Sequence, residues 1–261
     1  ANVIAAAETE KNLKCQPEFE PADGSYEFVE EDTPDYEVPE DAVIDEIHYT
    51  RLTIFDESNP RENNALYRWV NRFHILTKEP VISRQVLIEK GQPYDQRSLE
   101  ETARLLRRRD YLFDVDVRTV SKCGEKVDIE VITKDVWSLT PEVQFDRSGG
   151  DNTYGIAVTD TNIMGSGKHL SVSYDKDTDR TSSRLEYKDD NVRGSRVETR
   201  ISYTNSDDGS NQFFSLRLPF YALDTRRSWA IRLENEERDD PQFFRGDDVT
   251  EVEHDIEEYV I

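Results

Sequence analysis

From Leu139 onward, apolar and polar residues alternate one by one in run after run, and this pattern restricts the fold more than any other feature. A period of two places the apolar side chains of a run on one face of a β-strand and the polar ones on the other. The clearest runs are 154–158, 170–174, 197–203, 214–220 and 229–233. The sequence therefore predicts an antiparallel, all-β second half.

The phrase D-x-N-x-x-G-S occurs twice between these runs, at residues 160–166 and 189–195, 29 residues apart. Two strands of roughly ten residues and their connections fill about 25 to 30 residues. We therefore interpret the phrase as a compact turn on one side of successive hairpins. On the other side we expect longer loops rich in Asp, Ser and Gly, at 175–180, 205–211 and 239–248.

The two faces of this predicted sheet differ in charge. Ionic residues fall on the face opposite the apolar one, namely Glu186, Lys188, Glu198, Arg200, Arg217 and Arg232. A soluble barrel or sandwich would turn its apolar faces inward to a core, whereas a membrane barrel would turn them outward to lipid and keep the charges in a wet lumen. Aromatic residues near the strand ends favour the membrane barrel, because they are typical of the girdles at membrane surfaces. These residues are Tyr154, Tyr174, Tyr187, Tyr203, Phe220 and Trp229.

The residues before Leu139 follow a different pattern, in which β-rich and helical segments alternate. Asn59-Pro60-Arg61-Glu62 offers a helix start, and Asp95 offers a cap for a helix with Leu99, Ala103 and Leu106 on its inner face. The predicted elements are a strand over 43–55, helices over 66–76, 81–89 and 96–109, and strands over 111–120 and 126–133. This order predicts an α+β domain.

Residues 81–133 contain, in order, the segments G-Q-P-Y-D, R-R-D-Y-L-F-D-V-D-V and K-V-D-I-E-V-I-T. Together they resemble a POTRA (polypeptide-transport-associated) domain, a β-α-α-β-β unit to which the helix over 63–76 would be extra. The stretch G-I-A-V-T-D-T-N-I-M-G-S-G-K-H-L-S-V-S-Y at 155–174 is similar to the first barrel hairpins of the bacterial surface antigen family. That family comprises outer-membrane β-barrel assembly and translocation proteins.

The resemblance implies an acidic extended segment over 1–41, a POTRA domain over 42–138, and the N-terminal half of an outer-membrane barrel, about eight transmembrane strands, over 139–261. It implies assembly or insertion of outer-membrane proteins, or polypeptide translocation, in the bacterial outer membrane with the POTRA domain in the periplasm. Expected partners are unfolded outer-membrane or secreted polypeptides, periplasmic or lipoprotein accessory subunits, and outer-membrane lipid. The alternative is a soluble periplasmic or secreted β-rich binding module with no membrane role.

Within this resemblance, two strands are the expected binding sites. The POTRA sheet would bind a client chain as an added strand along its edge, at Val115, Val117, Thr119 and Val120. The first barrel strand would form the barrel seam, the edge at which an incoming client meets the barrel. Its residues are Leu139, Val143 and Phe145.

Other classes of function find little support in the composition and motifs. A formal net charge of -23 disfavours nucleic acid, whose phosphates would be repelled. The four histidines share no ligand spacing with one another or with the cysteines, so no metal site is expected. Asp175, Asp177 and Asp179 imitate a calcium loop without its glycine, which leaves only adventitious calcium binding. With no G-x-S-x-G elbow and no phosphate loop, neither an enzyme nor a cofactor is predicted.

The first 41 residues are acidic and interrupted by prolines, which predicts an extended, solvated segment. Its aromatic residues, among them Tyr26 and Phe28, leave docking of parts of this segment open. Cys15 and Cys123 are the only cysteines. They would form one disulfide in an oxidising compartment or remain two unpaired thiols.

Overall fold

The computed structural model describes residues 20–28, 38–39, 41–148, 151–178, 180–244 and 247–260. The chain divides after Val136 into two compact units. The first unit mixes helices and strands, whereas the second consists of strands, turns and two short 3-10 segments. Among the described residues, no helix is both long enough and apolar enough to cross a membrane.

The first unit contains a three-stranded sheet and three helices. Its elements are β1 (Val43–Leu52), α1 (Ala65–Phe73), α2 (Glu79–Ser83), α3 (Gln96–Arg107), β2 (Leu112–Cys123) and β3 (Lys126–Asp135). The strand order is β1-β3-β2, with β1 parallel and β2 antiparallel to the central β3. This is the predicted β-α-α-β-β arrangement with one extra helix, α1.

Helix α3 shows how local sequence signals build this unit. The Asp95 side chain caps the helix by accepting the backbone N–H of Arg97 at 3.2 Å, as predicted. Leu99, Ala103 and Leu106 are buried on its inner face, in one cluster with the sheet. Burial of each leucine contributes about 1.5–3 kcal/mol. The sheet side of this cluster consists of Val115, Val117, Val127, Ile129 and Val131.

The other two helices differ from their predicted bounds. Helix α2 ends at Ser83, not at Glu89, because the following Val86 and Ile88 bury their side chains in the core from non-helical backbone. Helix α1 begins at Ala65 with Asn64 as its cap. The predicted start at Asn59 forms a turn instead, in which the Asn59 carbonyl oxygen accepts the N–H of residue 62 at 2.9 Å.

The second unit is an eight-stranded antiparallel sheet in which each strand pairs with the next one along the chain. The sheet begins at β4 and ends at β11 and is not closed in the described part of the chain. This confirms the predicted antiparallel fold. The strands are β4 (Leu139–Ser148), β5 (Asp151–Asp160), β6 (Lys168–Lys176), β7 (Thr181–Asp189), β8 (Glu198–Ser206), β9 (Gly209–Leu218), β10 (Trp229–Phe244) and β11 (Asp247–Val260).

The repeated phrase folds into the same turn both times. In each copy the asparagine side chain accepts the backbone N–H five residues later, at 2.7 Å for Asn162 and 2.8 Å for Asn191. The final serine hydroxyl donates to the carbonyl three residues before it, at 2.6 Å in both copies. Met164 and Arg193 take the left-handed conformation, with φ of 52° and 54°. The phrase therefore marks the same side of successive hairpins, as predicted.

Of the three predicted loops, the one at 175–180 lies between the end of β6 at Lys176 and the start of β7 at Thr181, but the other two are wrong. The connections with the phrase span 161–167 and 190–197, whereas Asp207 and Asp208 alone join β8 to β9. The polar segments 205–211 and 239–248, which were predicted as loops, are mainly strand. Strands continue through these polar residues because the backbone ladder does not depend on side-chain polarity.

Candidate functional site

Strand β2 forms one edge of the three-stranded sheet, and it contains all four residues predicted to bind a client. Within the described residues it pairs with β3 alone. The side chains of Val115 and Val117 are buried in the core, and the Thr119 hydroxyl lies 3.4 Å from the Tyr94 hydroxyl. Val120 falls at an irregularity in the pairing with β3. An added strand would therefore meet the backbone of this edge, and client binding there remains a prediction.

Two backbone donors of this edge are already bonded to side chains of their own strand. The N–H of Val115 donates to Asp114 Oδ1, and that of Val117 donates to Asp116 Oδ1, both at 2.7 Å. Cys123 and Lys126 form a hydrogen-bonded pair across a two-residue turn, and such pairs recur at every second residue along β3. Val131 and Thr133, the partners of Val117 and Val115, fall at the positions between, so we assign both donors to the edge that does not face β3. The D-V-D-V sequence thus places a carboxylate next to each outward donor. Such capping reduces unspecific strand pairing at an exposed edge.

Two further residues hold these aspartates in place. Arg107, at the end of α3, donates through Nε to Asp114 Oδ1 at 3.0 Å. The Tyr26 hydroxyl donates to Asp116 Oδ2. The capped edge is therefore connected to both the last turn of α3 and the N-terminal segment.

Part of that N-terminal segment is docked, in contrast to the solvated chain that was predicted. The backbone N–H of Ala22 donates to Glu130 Oε1 at 2.9 Å. The Tyr26 ring lies under the Arg118 guanidinium, 4.7 Å from its carbon, and meets the Phe28 ring edge-on at 5.2 Å. Residues 20–28 therefore contact β2 and β3 through the polar side chains of the sheet.

A turn in the middle of the segment fixes its course. The Asp23 carboxylate accepts both the N–H and the hydroxyl of Ser25, at 2.9 and 2.6 Å, and these bonds lower the pKa of Asp23 below its ordinary value. Gly24 approaches Asp56 so closely that a Cβ would lie 2.6 Å from Asp56 Oδ1. A side chain at this position would displace the segment or Asp56.

Glu130 is the centre of this contact and was not predicted from the sequence. Its side chain is fully buried and accepts from Arg118 Nε and Nη2 at 3.1 and 2.9 Å. The Thr50 hydroxyl of β1 and the Ala22 N–H donate to its other oxygen. A buried carboxylate is tolerated when donors satisfy it in this way. Its sequence signal was the single acid within the otherwise apolar run I-E-V-I of β3.

Strand β4, which contains the predicted barrel seam, is an edge strand of the second unit. In the described part of the chain it pairs only with β5. Val143 lies opposite Ile156 and Phe145 opposite Tyr154. Leu139, Val143 and Phe145 all have exposed side chains. The position fits a seam, and its role remains a prediction.

One face of the eight-stranded sheet is apolar, and the other is charged. Val158, Val172, Leu185 and Tyr203 lie side by side on β5 to β8, and all four are exposed. They form a contiguous apolar row.

The predicted charges lie on the other face of this sheet. Glu186 is bonded there by Lys188, Arg200 and Arg184, at 2.8, 2.7 and 2.9 Å. Arg217 pairs with Glu198 at 2.6 Å, and Arg232 pairs with Glu234 at 2.6 Å. These ion pairs balance the charges of the polar face against one another.

Two predictions fall partly on residues outside the described ranges. Cys15 is one of these residues, so its pairing with Cys123 remains a prediction. Asp179 of the calcium-like loop is another. In the described part of the chain, no group of three His, Cys, Asp or Glu side chains is arranged to hold a metal ion.

Comparisons with known proteins bear on the fold and on part of the chain. Residues 74–135 match the POTRA family, described as "Surface antigen variable number repeat". No curated protein matches the chain. The family match at residues 74–135 confirms the resemblance to a POTRA domain that was predicted from the sequence.

The solved structures similar to the chain include two of low sequence identity. One is BamA from Haemophilus ducreyi lacking POTRA domains 1–3, with a TM-score of 0.46 and 15% identity over 75% of this chain and 36% of that one. The other is CdiB from Acinetobacter baumannii, with a TM-score of 0.41 and 11% identity over 91% of this chain and 60% of that one. The chain thus spans less than two thirds of the length of either structure. By its match at residues 74–135, the chain contains a POTRA domain.

Proposed function

We propose that the protein works in the bacterial outer membrane, where it assembles or translocates other polypeptides. In this proposal the POTRA domain lies in the periplasm and the eight strands form part of a membrane barrel. The partners are unfolded outer-membrane or secreted chains, with outer-membrane lipid around the barrel and accessory subunits on the periplasmic side.

The observation that supports this most is the exposed apolar row on β5 to β8. Val158, Val172, Leu185 and Tyr203 belong to one face of the sheet and are each about half exposed. Soluble proteins rarely expose a contiguous apolar surface larger than a few hundred Å². Facing hydrocarbon, the same surface is favourable, and the ion-paired opposite face suits a wet lumen.

The POTRA domain would bind a client by adding it to the sheet at β2. Backbone hydrogen bonds provide affinity for such a strand with little demand on its sequence, which suits clients of varied sequence. To pair, the client carbonyls have to replace Asp114 and Asp116 as acceptors of the Val115 and Val117 donors. The free energy of export or insertion would come from the folding of the client in lipid, without a nucleotide.

Spin labels on adjacent residues of β6 test the membrane part of the proposal. Labels replace Val172 on the apolar face or Ser173 on the polar face of the intact protein in phospholipid vesicles, in a background where both cysteines are serine. We expect lipid-soluble oxygen to reach the label at 172 and a water-soluble nickel complex to reach the label at 173. Shielding of 172 from oxygen, in a protein that a carbonate wash releases from membranes, would establish the soluble binding module instead.

A photo-crosslinker at Phe113, an exposed side chain on β2, tests client binding. Thr119→Pro removes a backbone donor from the strand and should lower the yield of client crosslinks, whereas Thr119→Val keeps this donor and should not. Equal yields from the two variants would argue against strand addition at β2.

A further inference from the structure

Helix α1 presents an apolar face to the outside of the first unit. Leu66, Trp69 and Phe73 are spaced three and four residues apart, which places them on one side of a helix, and they are 64%, 53% and 60% exposed. The rings of Trp69 and Phe73 are in contact, with centroids 4.7 Å apart. No residue of this fully described helix is buried. The apolar face therefore contributes nothing to the core of its own unit.

The opposite side of α1 fixes the orientation of this face. The Tyr67 ring stacks on Phe55 with a centroid distance of 3.9 Å. The Asn71 side chain bonds the Phe55 backbone twice, at 3.1 and 2.9 Å. Just beyond the helix, His74 lies 2.9 Å from the buried Asp135. The helix is thus attached by one side, which directs Leu66, Trp69 and Phe73 away from the domain.

The charge of this region is opposite to that of the rest of the chain. The chain has 56 acidic residues, yet residues 63–78 contain none, whereas they include Arg68, Arg72 and Lys78. On the helical wheel Arg72 falls next to Trp69, and Arg68 falls on the same flank, farther from the apolar face. A basic amphipathic helix with Trp, Phe and Leu on its apolar face is typical of helices that lie in the surface of a membrane.

We propose that α1 is an interfacial anchor, in which Leu66, Trp69 and Phe73 enter the headgroup region of the periplasmic leaflet while Arg68 and Arg72 contact lipid phosphates. This inference rests on the proposed function, since it requires a bilayer beside the POTRA domain. The connection between β3 and β4 supports it, because only residues 136–138 separate the two strands. Three such residues bridge no more than about 14 Å, so β4 in lipid would keep the domain near the bilayer.

A second copy of the chain fits this face less well than a bilayer does. A two-fold contact through α1 would bring the arginines of both copies together, and like charges at a contact are unfavourable. Three side chains on a nine-residue helix also bury far less than the roughly 800 Å² per partner of a stable interface. Anionic phospholipid offers a complementary charge and has no minimum contact area.

Tryptophan quenching by brominated phospholipid tests the anchor in the intact protein. The chain has three tryptophans, so Trp137→Phe with Trp229→Phe leaves Trp69 as the sole emitter. In vesicles of phosphatidylethanolamine and phosphatidylglycerol with bromine near the top of the acyl chains, we expect Trp69 to lose emission and to be protected from aqueous acrylamide. Arg68→Glu with Arg72→Glu should reduce this quenching in anionic vesicles and change little in neutral phosphatidylcholine.

The sheet supplies the matched control. Trp69→Phe with Trp137→Phe leaves Trp229, which alternates with Ile231 and Leu233 on the apolar face of β10, and its quenching reports whether the sheet is in lipid. Quenching of Trp229 without quenching of Trp69 would overturn the anchor and leave the proposed function standing. Protection of Trp69 from both quenchers at high protein concentration would also overturn the anchor, in favour of self-association. Quenching of Trp69 without quenching of Trp229 would support the anchor and count against the membrane barrel.

Discussion

The Tyr26 hydroxyl donates to Asp116, the same residue whose other carboxylate oxygen accepts the backbone N–H of Val117. A side chain from the N-terminal segment is therefore coupled to the exposed edge of the POTRA sheet through one carboxylate. Because the hydroxyl fixes the position of this carboxylate, it also favours the capped state of the edge.

The first prediction concerns this coupling. Tyr26→Phe removes the hydroxyl and keeps the ring under Arg118, so the Val117 amide should exchange with solvent about fivefold faster, the equivalent of one hydrogen bond of about 1 kcal/mol. Amide hydrogen exchange on the intact protein measures the change. The Val115 amide, which Asp114 holds without Tyr26, should keep its rate. Equal acceleration of both amides would show a general loss of stability instead.

The second prediction compares two arginine–carboxylate pairs. Arg118→Ala leaves the fully buried Glu130 without its guanidinium and should destabilise the sheet by about 3–5 kcal/mol. Arg107→Ala breaks the more exposed pair with Asp114 and should cost about 1 kcal/mol or less. Exchange protection of the β3 amides distinguishes these losses. Similar losses in both variants would contradict the central role of Glu130.

The third prediction uses the two copies of the repeated turn. Asn162→Ala and Asn191→Ala each remove the acceptor of one backbone N–H, so each should destabilise the second unit by about 1 kcal/mol. Met164→Gly and Arg193→Gly should stabilise it by about 1 kcal/mol, because glycine adopts the left-handed conformation without strain. Urea unfolding of the protein in detergent checks all four variants. A difference in sign between the two copies would contradict the shared geometry.

The fourth prediction concerns pH at the tight turn between β8 and β9. Both carboxylate oxygens of Asp207 accept the Thr181 N–H at 3.0 Å, and this bond lowers the pKa of Asp207 below its ordinary value. The stabilisation is therefore present above the unfolded-state pKa and is lost as the pH falls through the folded-state pKa. A carboxyl titration by NMR should give a midpoint below that of an unfolded aspartate. An ordinary or raised midpoint would contradict the bond, and Thr181→Pro, which lacks the donor, should return the midpoint toward the ordinary value.

Local signals in the sequence were sufficient for several elements. Asp95 and the spacing of Leu99, Ala103 and Leu106 predicted α3 because a cap and an apolar stripe are both local properties. The end of α2 was missed because burial of Val86 and Ile88 in the shared core overrides their helical spacing. The lengths of the connections were missed because polar composition was taken as a loop signal, although the strand ladder continues through it.

The sequence predicted which strand contains the candidate site, but not the side-chain contacts that form it. The alternation in 111–120 predicted β2, whereas its place at the edge of the sheet was expected from the family resemblance. The capping of Val115 and Val117 by the preceding aspartates requires knowledge of which way each N–H points, and the Glu130 cluster joins residues as far apart as Ala22 and Arg118. Contacts over such sequence distances leave no periodic signal in a single sequence.

The aspartates of the D-V-D-V edge also make client binding depend on the length of the extended client segment. Each aspartate belongs to the strand whose N–H group it accepts, so its hydrogen bond involves no loss of association entropy. A client carbonyl does involve that loss, so a single carbonyl gains little free energy by replacing an aspartate. A long extended segment replaces several aspartate bonds in one binding event, but it loses the association entropy only once. The edge would therefore bind folded neighbours weakly and bind more tightly those chains that are still unfolded over the length of a strand.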